Sequence, residues 1–139
     1  MKDRLILLDS EAVAALYTPT HAKHRRVLAH VHVIATRRRK ARTDQLAIPT
    51  AVRVESGWDR RAPAAAFINH LRITDVDLDR HAADQAAAIR AAHSVSVADA
   101  HLGAVVVAAA VTSNVTVLTS DPGDIATSAG TASVTIVAI

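Results

Sequence analysis

The chain has 139 residues, half of them hydrophobic, a formal charge of +3 and no cysteine. That length suits one domain, residues 1–139, with a core that needs no staples, and the missing cysteine excludes thiol catalysis, disulfides and cysteine zinc sites. Tyr17, Trp58 and Phe67 are the only aromatics, too few for a nucleic-acid site built on ring stacking.

Arg4 to Leu8 is a continuous apolar run of the kind found in buried parallel strands, and after Asp9 a short helix is predicted over Glu11 to Tyr17. Past the Thr18-Pro19-Thr20 break, Val27, Leu28, Val31 and Ile34 fall on one face of a longer helix with arginines at its C-terminal end. Leu46 to Pro49 reads as a second strand, and Thr50 as the cap of a helix running to about Trp58. A helix over Pro63 to His70, a third strand over Leu71 to Val76, and an alanine-rich helix from Asp79 to about Ala92 follow. Ser96 opens another helix reaching about Thr112, Val115 to Leu118 makes a fourth strand, Pro122 to Ser128 a short helix and Val134 to Val137 a fifth strand.

Strands separated by helices imply right-handed crossovers, hence an α/β fold: a parallel sheet of about five strands with helices on both faces. In such sheets the ligand site lies beyond the carboxyl ends of the strands. Leu102 to Val111 is the longest apolar stretch, well short of the roughly 20 residues of a membrane span, and Ile6 to Leu8 is too short for a signal peptide. The expectation is a soluble, cytoplasmic protein with no membrane partner.

Four acids fall where that site should be. Asp9 follows the first strand, Glu55 sits in the helix after the second, Asp99 lies in the first turn of a helix, and Asp121 follows the fourth strand. Clustered carboxylates repel one another unless a cation neutralises them, and hard oxygen ligands select Mg²⁺ or Mn²⁺. Each also has a plain structural account: Asp9 and Asp121 as helix caps, Asp99 in a capping-box variant with Ser96, and Glu55 as a core-facing carboxylate paired with an arginine.

The stretches Leu7-Leu8-Asp9, Pro49-Thr50 to Glu55, Val97-Ala98-Asp99-Ala100 and Val117-Leu118-Thr119-Ser120-Asp121 resemble the acidic motifs of PIN domains, in order and over essentially the whole chain. Within that family the chain looks like the VapC-type ribonuclease toxins of type II toxin-antitoxin pairs. The resemblance implies that Asp9, Glu55, Asp99 and Asp121 are catalytic and bind one or two Mg²⁺ or Mn²⁺ ions. It implies hydrolysis of RNA phosphodiester bonds to a 5′-phosphate and a 3′-hydroxyl, inhibition by a VapB-like antitoxin, and a homodimer. Glu11 departs from the pattern, standing where the family often has Ser or Asn two residues after the first Asp. Glu11 and Asp124 are either supporting acids or ordinary surface carboxylates, Glu11 reading first as a first-turn helix acid. Thr119 and Ser120 either position water or phosphate or satisfy local backbone.

The basic run Arg37, Arg38, Arg39, Lys40 and Arg42 is a candidate hold on the RNA backbone, or a solvated helix end. Leu16, Tyr17, Val27 and Val31 are either core or a dimer or antitoxin surface, with core the simpler use. The eight histidines form no HxxxH or HExxH pair, and His101 does not share a helix face with Asp99. A phosphoacceptor domain would need a lysine late in the chain, and none follows Lys40; Gly57, Gly103, Gly123 and Gly130 build no phosphate loop. The surviving alternatives are a PIN-fold binding module without catalysis and an RNA-processing nuclease without an antitoxin.

Overall fold

The computed structural model describes residues 2–39 and 44–139, leaving the side chains of 37–39 out, so the predicted basic hold of Arg37, Arg38, Arg39, Lys40 and Arg42 lies outside the described side chains. Five strands, β1 (Asp3–Leu8), β2 (Gln45–Pro49), β3 (Thr74–Val76), β4 (Ser113–Thr119) and β5 (Val134–Ala138), form one sheet in the order β3-β2-β1-β4-β5. Every pairing is parallel. The central strands have the apolar runs that burial on both faces demands: Ile6 to Leu8, Leu46 to Ile48, Val117 and Leu118 are all buried.

Helices α1 (Ser10–Tyr17), α2 (His24–Arg39), α3 (Thr50–Ser56) and α4 (Ala66–His70, after a 3-10 turn at Pro63–Ala65) connect strands that progress one way along the sheet. Helices α5 (Arg80–Ala92), α6 (Val97–Ala109) and α7 (Pro122–Ala129) connect strands that progress the other way, so right-handed crossovers put the two groups on opposite faces. The reversal falls between β1 and β4, the topological switch point where open α/β sheets hold ligands. Leu16, Val27 and Val31 are buried in the core under the first group and Tyr17 packs partly buried against it, so these side chains belong to the interior of the fold.

Several predicted boundaries move, each for a local reason. Thr50 does not cap α3: Pro49 holds the cap position without a side-chain bond, and the Thr50 hydroxyl instead accepts the N–H of Leu78 at 3.0 Å. The same helix stops at Ser56 because Gly57 turns left-handed at φ 74° and its N–H closes back on the last turn. The third strand begins at Thr74, since Arg72 adopts φ 55°, which no strand residue does. Helix α6 ends at Ala109, three residues early, and β4 starts at Ser113 because β1 pairs with it from Asp3 onward.

Helices α6 and α7 meet at Gly103, where an added Cβ would lie 2.6 Å from Cβ and 2.8 Å from the carbonyl oxygen of Ser128. Backbone cannot give way as a flexible side chain does. Gly103→Ala is therefore expected to cost about 1–2 kcal/mol net, overpacking outweighing the gain in helix propensity. Thermal unfolding should show a Tm about 5 °C lower; an unchanged Tm would mean the helix pair has slack.

Candidate metal centre

Asp9 extends β1 by one residue, its N–H donating to the Leu118 carbonyl at 3.1 Å. Its side chain is buried, with Oδ1 accepting the N–H of Ala12 at 2.8 Å and Oδ2 accepting the N–H of Ser120 at 3.0 Å. Asp9 is thus the cap of α1 and also a strap joining the carboxyl ends of β1 and β4. Asp121 likewise caps α7, accepting the Asp124 N–H at 3.4 Å, while its own N–H donates to the buried Thr119 hydroxyl at 2.9 Å. The Thr119 hydroxyl thus accepts a backbone N–H, while Ser120 meets Asp9 through its own N–H. Glu11 is bonded to His21 Nε2 at 3.0 Å.

A helix linking two parallel strands runs back against them, so its N-terminus sits at the carboxyl edge of the sheet. That places Asp99, in the first turn of α6, beside the strand ends. The cap at Ser96 forms, its hydroxyl accepting the Asp99 N–H at 3.0 Å, but this uses the backbone of Asp99 and leaves its carboxylate for other work. One carboxylate oxygen from each of Asp99, Asp121 and Asp124 lies within 4.8 Å of the others.

The electrostatics extend the group. The Asp99 carboxyl is pushed up to about 6, first by burial, then by the charges of Glu55, Asp124, Asp9 and Asp121. Asp124 is also held above the ordinary carboxylate range, chiefly through a side-chain hydrogen bond with Asp121, which requires a proton on one of the two. Helix N-termini at Asp9, Asp99, Asp121 and Asp124 offset part of this repulsion.

Glu55 is the exception. It is exposed, not core-facing as its spacing from Ala51 and Trp58 predicts, because α3 stops at Ser56 and the buried Trp58 lies beyond the Gly57 cap, off the helix face that carries Glu55. It lies at the C-terminal end of α3, where the helix dipole disfavours an anion, and no ion pair holds it among the described residues. No arginine pairs with it among the described residues; Arg53, two residues before it, binds Asp75 at 2.8 Å.

Oxygen-only donors this close suit a hard divalent cation, since oxygens across an octahedral Mg²⁺ stand about 4 Å apart. Sequence reasoning set His101 aside, and the structure places its ring against the start of α3. It is fully buried, Nδ1 accepting the N–H of Ala51 at 3.3 Å, and burial pushes its pKa down, favouring the neutral ring that can accept.

No protein-family model and no curated protein sequence matches the chain. Among solved structures it is similar to the crystal structure of VapC20 from Mycobacterium tuberculosis, a sarcin-ricin loop cleaving toxin, at 20% identity and a TM-score of 0.50. The match covers 79% of this chain and 86% of the toxin. Among the described residues no single helix is long and apolar enough to cross a membrane. With its parallel strands in the order β3-β2-β1-β4-β5 and its flanking helices, the chain has a PIN-like α/β fold.

Proposed function

We propose that the chain, as a single unit, is a Mg²⁺- or Mn²⁺-dependent endoribonuclease and the toxin of a VapBC-type pair, acting in the cytoplasm as a homodimer held in check by a VapB-like antitoxin. The observation that supports this best is the convergence of Asp9, Glu55, Asp99 and Asp121, with Asp124, at the switch point of the sheet. Acids that raise one another's pKa destabilise a fold unless they have a cationic partner.

Asp99, Asp121 and Asp124 are the residues placed to hold the ion, with Glu55 and Asp9 around them. When bound, the metal supplies a Lewis acid that polarises a phosphoryl oxygen and makes water a usable nucleophile near neutral pH. The chain does the rest. Asp9 keeps the ends of β1 and β4 in register, the Ser96 cap fixes the start of α6, and Thr119 holds the turn into Asp121. Glu55 is exposed, so a phosphate approaching it would meet an anionic charge that a bound cation offsets.

Calorimetry with Mn²⁺ and cleavage of a structured RNA, each with and without chelator, test the proposal. Binding in the micromolar to millimolar range and chelator-sensitive cleavage are expected. Affinity should rise with pH through about 6, as Asp99 loses its proton to become a ligand. No binding at millimolar Mn²⁺ would mean a PIN-fold binding module instead, and cleavage without a neighbouring antitoxin gene would favour an RNA-processing nuclease.

A further inference from the structure

Helix α3 has seven residues and begins after Pro49, whose side chain makes no cap bond. Its first N–H groups therefore need acceptors from elsewhere in the fold. Ala51 finds one in Nδ1 of His101, 3.3 Å away on α6. His101 stands two residues after Asp99, and Ala51 stands one helical turn before Glu55 on the same face of α3. One hydrogen bond thus ties the helix that carries Asp99 to the helix that carries Glu55.

A polar ring buried this deeply needs a reason. The ring is fully buried, and its Nε2 has no hydrogen-bond partner of ordinary geometry. With Nδ1 accepting, the ring proton sits on Nε2, and the charges that act on the ring are those of Asp79 and Asp77, in the connection after β3. That same connection is pinned to the start of α3 by the Leu78 N–H to Thr50 hydroxyl bond. An apolar side chain would fill the space without an underused polar atom, so the acceptor at Nδ1 is what histidine adds.

We propose that His101 is a positioning residue for Glu55. By accepting the Ala51 N–H it sets α3 against α6 and holds the Glu55 carboxylate close to Asp99. Glu55 exerts the largest charge effect on Asp99 of any acid in the cluster, although its own side chain is exposed and unpaired among the described residues. A carboxylate with no bond of its own can be held near others only through its backbone, and His101 holds that backbone one turn upstream.

The proposal rests on the metal-site reading for its first test and is independent of it for the second. Mn²⁺ affinity, read by calorimetry and by the Mn²⁺ spin-resonance signal, should fall about tenfold in His101→Leu. His101→Asn, whose side-chain oxygen can accept in place of Nδ1, should return to within about threefold of wild type. His101→Leu binding Mn²⁺ as wild type does, while circular dichroism shows both folded, would overturn the assignment.

The second test needs no metal. In chelator, Glu55→Gln should raise Tm in the wild-type background by relieving repulsion at Asp99, and that gain should disappear in His101→Leu. An equal gain in both backgrounds would show that Glu55 stays near Asp99 without His101, and the proposal would fall. If wild type takes up no Mn²⁺, the nuclease reading fails and this cycle alone decides the role of His101.

Discussion

Asp99→Asn should cut metal-dependent RNA cleavage at least about 100-fold, since even residues that only support a metal ligand contribute 10- to 100-fold. The same change should make the metal-free protein harder to unfold. The Asp99 carboxyl holds its proton up to about 6 in the folded chain against 3.8 ordinarily. Between those values the folded state binds more protons than the unfolded one, so stability falls as pH rises across that window and stays lower above it. An amide carries no charge to repel Glu55, Asp124, Asp9 and Asp121. After solvent screening the gain at pH 7 is on the order of 1 kcal/mol, or about 3 °C in Tm. Thermal unfolding in chelator from pH 4 to 8 checks this: the wild type should lose stability toward neutral pH and the variant should show a flatter profile. Added Mn²⁺ should reverse the order, stabilising the wild type more than the variant. A variant that loses activity and stability together would place Asp99 in the structure rather than in a metal centre.

Asp9→Ala should behave in the opposite way, losing activity and stability at once. Its two carboxylate oxygens accept N–H groups from Ala12 and Ser120, on α1 and at the end of β4, in a site sealed from solvent. Removing them deletes a helix cap and leaves a charge-assisted bond between strand ends unmade, a loss of about 2–4 kcal/mol. That corresponds to a fall of roughly 10 °C in Tm. Asp9→Asn keeps one acceptor oxygen and should recover about half of the stability while staying inactive. The pair of aspartates thus separates two uses of one residue type: Asp9 is stabilised where it sits, whereas Asp99 is kept at a cost. Chemical denaturation of the four proteins in chelator, with RNA cleavage measured in parallel, would show whether this division holds.

The order of strands and helices was legible because it depends on local patterns. The apolar stretches Ile6 to Leu8 and Val117-Leu118 demand burial on both faces, and right-handed crossovers leave few ways to arrange parallel strands. The acids were legible for a related reason. Asp9 and Asp121 come one and two residues after strands and Asp99 lies in the first turn of a helix, so their place at the carboxyl edge is dictated by chain direction alone. The choice between cap and cluster was not, and the structure joins the two: Asp9 and Asp121 cap helices and stand among the acids, while Asp99 takes the Ser96 cap with its backbone and offers its carboxylate.

What remained hidden depends on contacts between residues far apart in the chain. Helical spacing put Glu55 on an apolar face, but Trp58 is buried beyond the Gly57 cap, off that face, and Glu55 is left in solvent. Arg53 is bound by Asp75, Glu11 by His21, and Thr50 by Leu78, partners 22, 10 and 28 residues away that no local pattern encodes. Asp124 joins Asp99 and Asp121 because Gly103 lets α7 come up against α6. His101 looked idle because its value lies in a bond to Ala51, 50 residues earlier. Local hydrophobic patterning and chain direction determined which elements form and at which edge the carboxylates gather. The tertiary packing decided which carboxylates meet and what holds them there, since those distances are set by helices brought together only when the core closes.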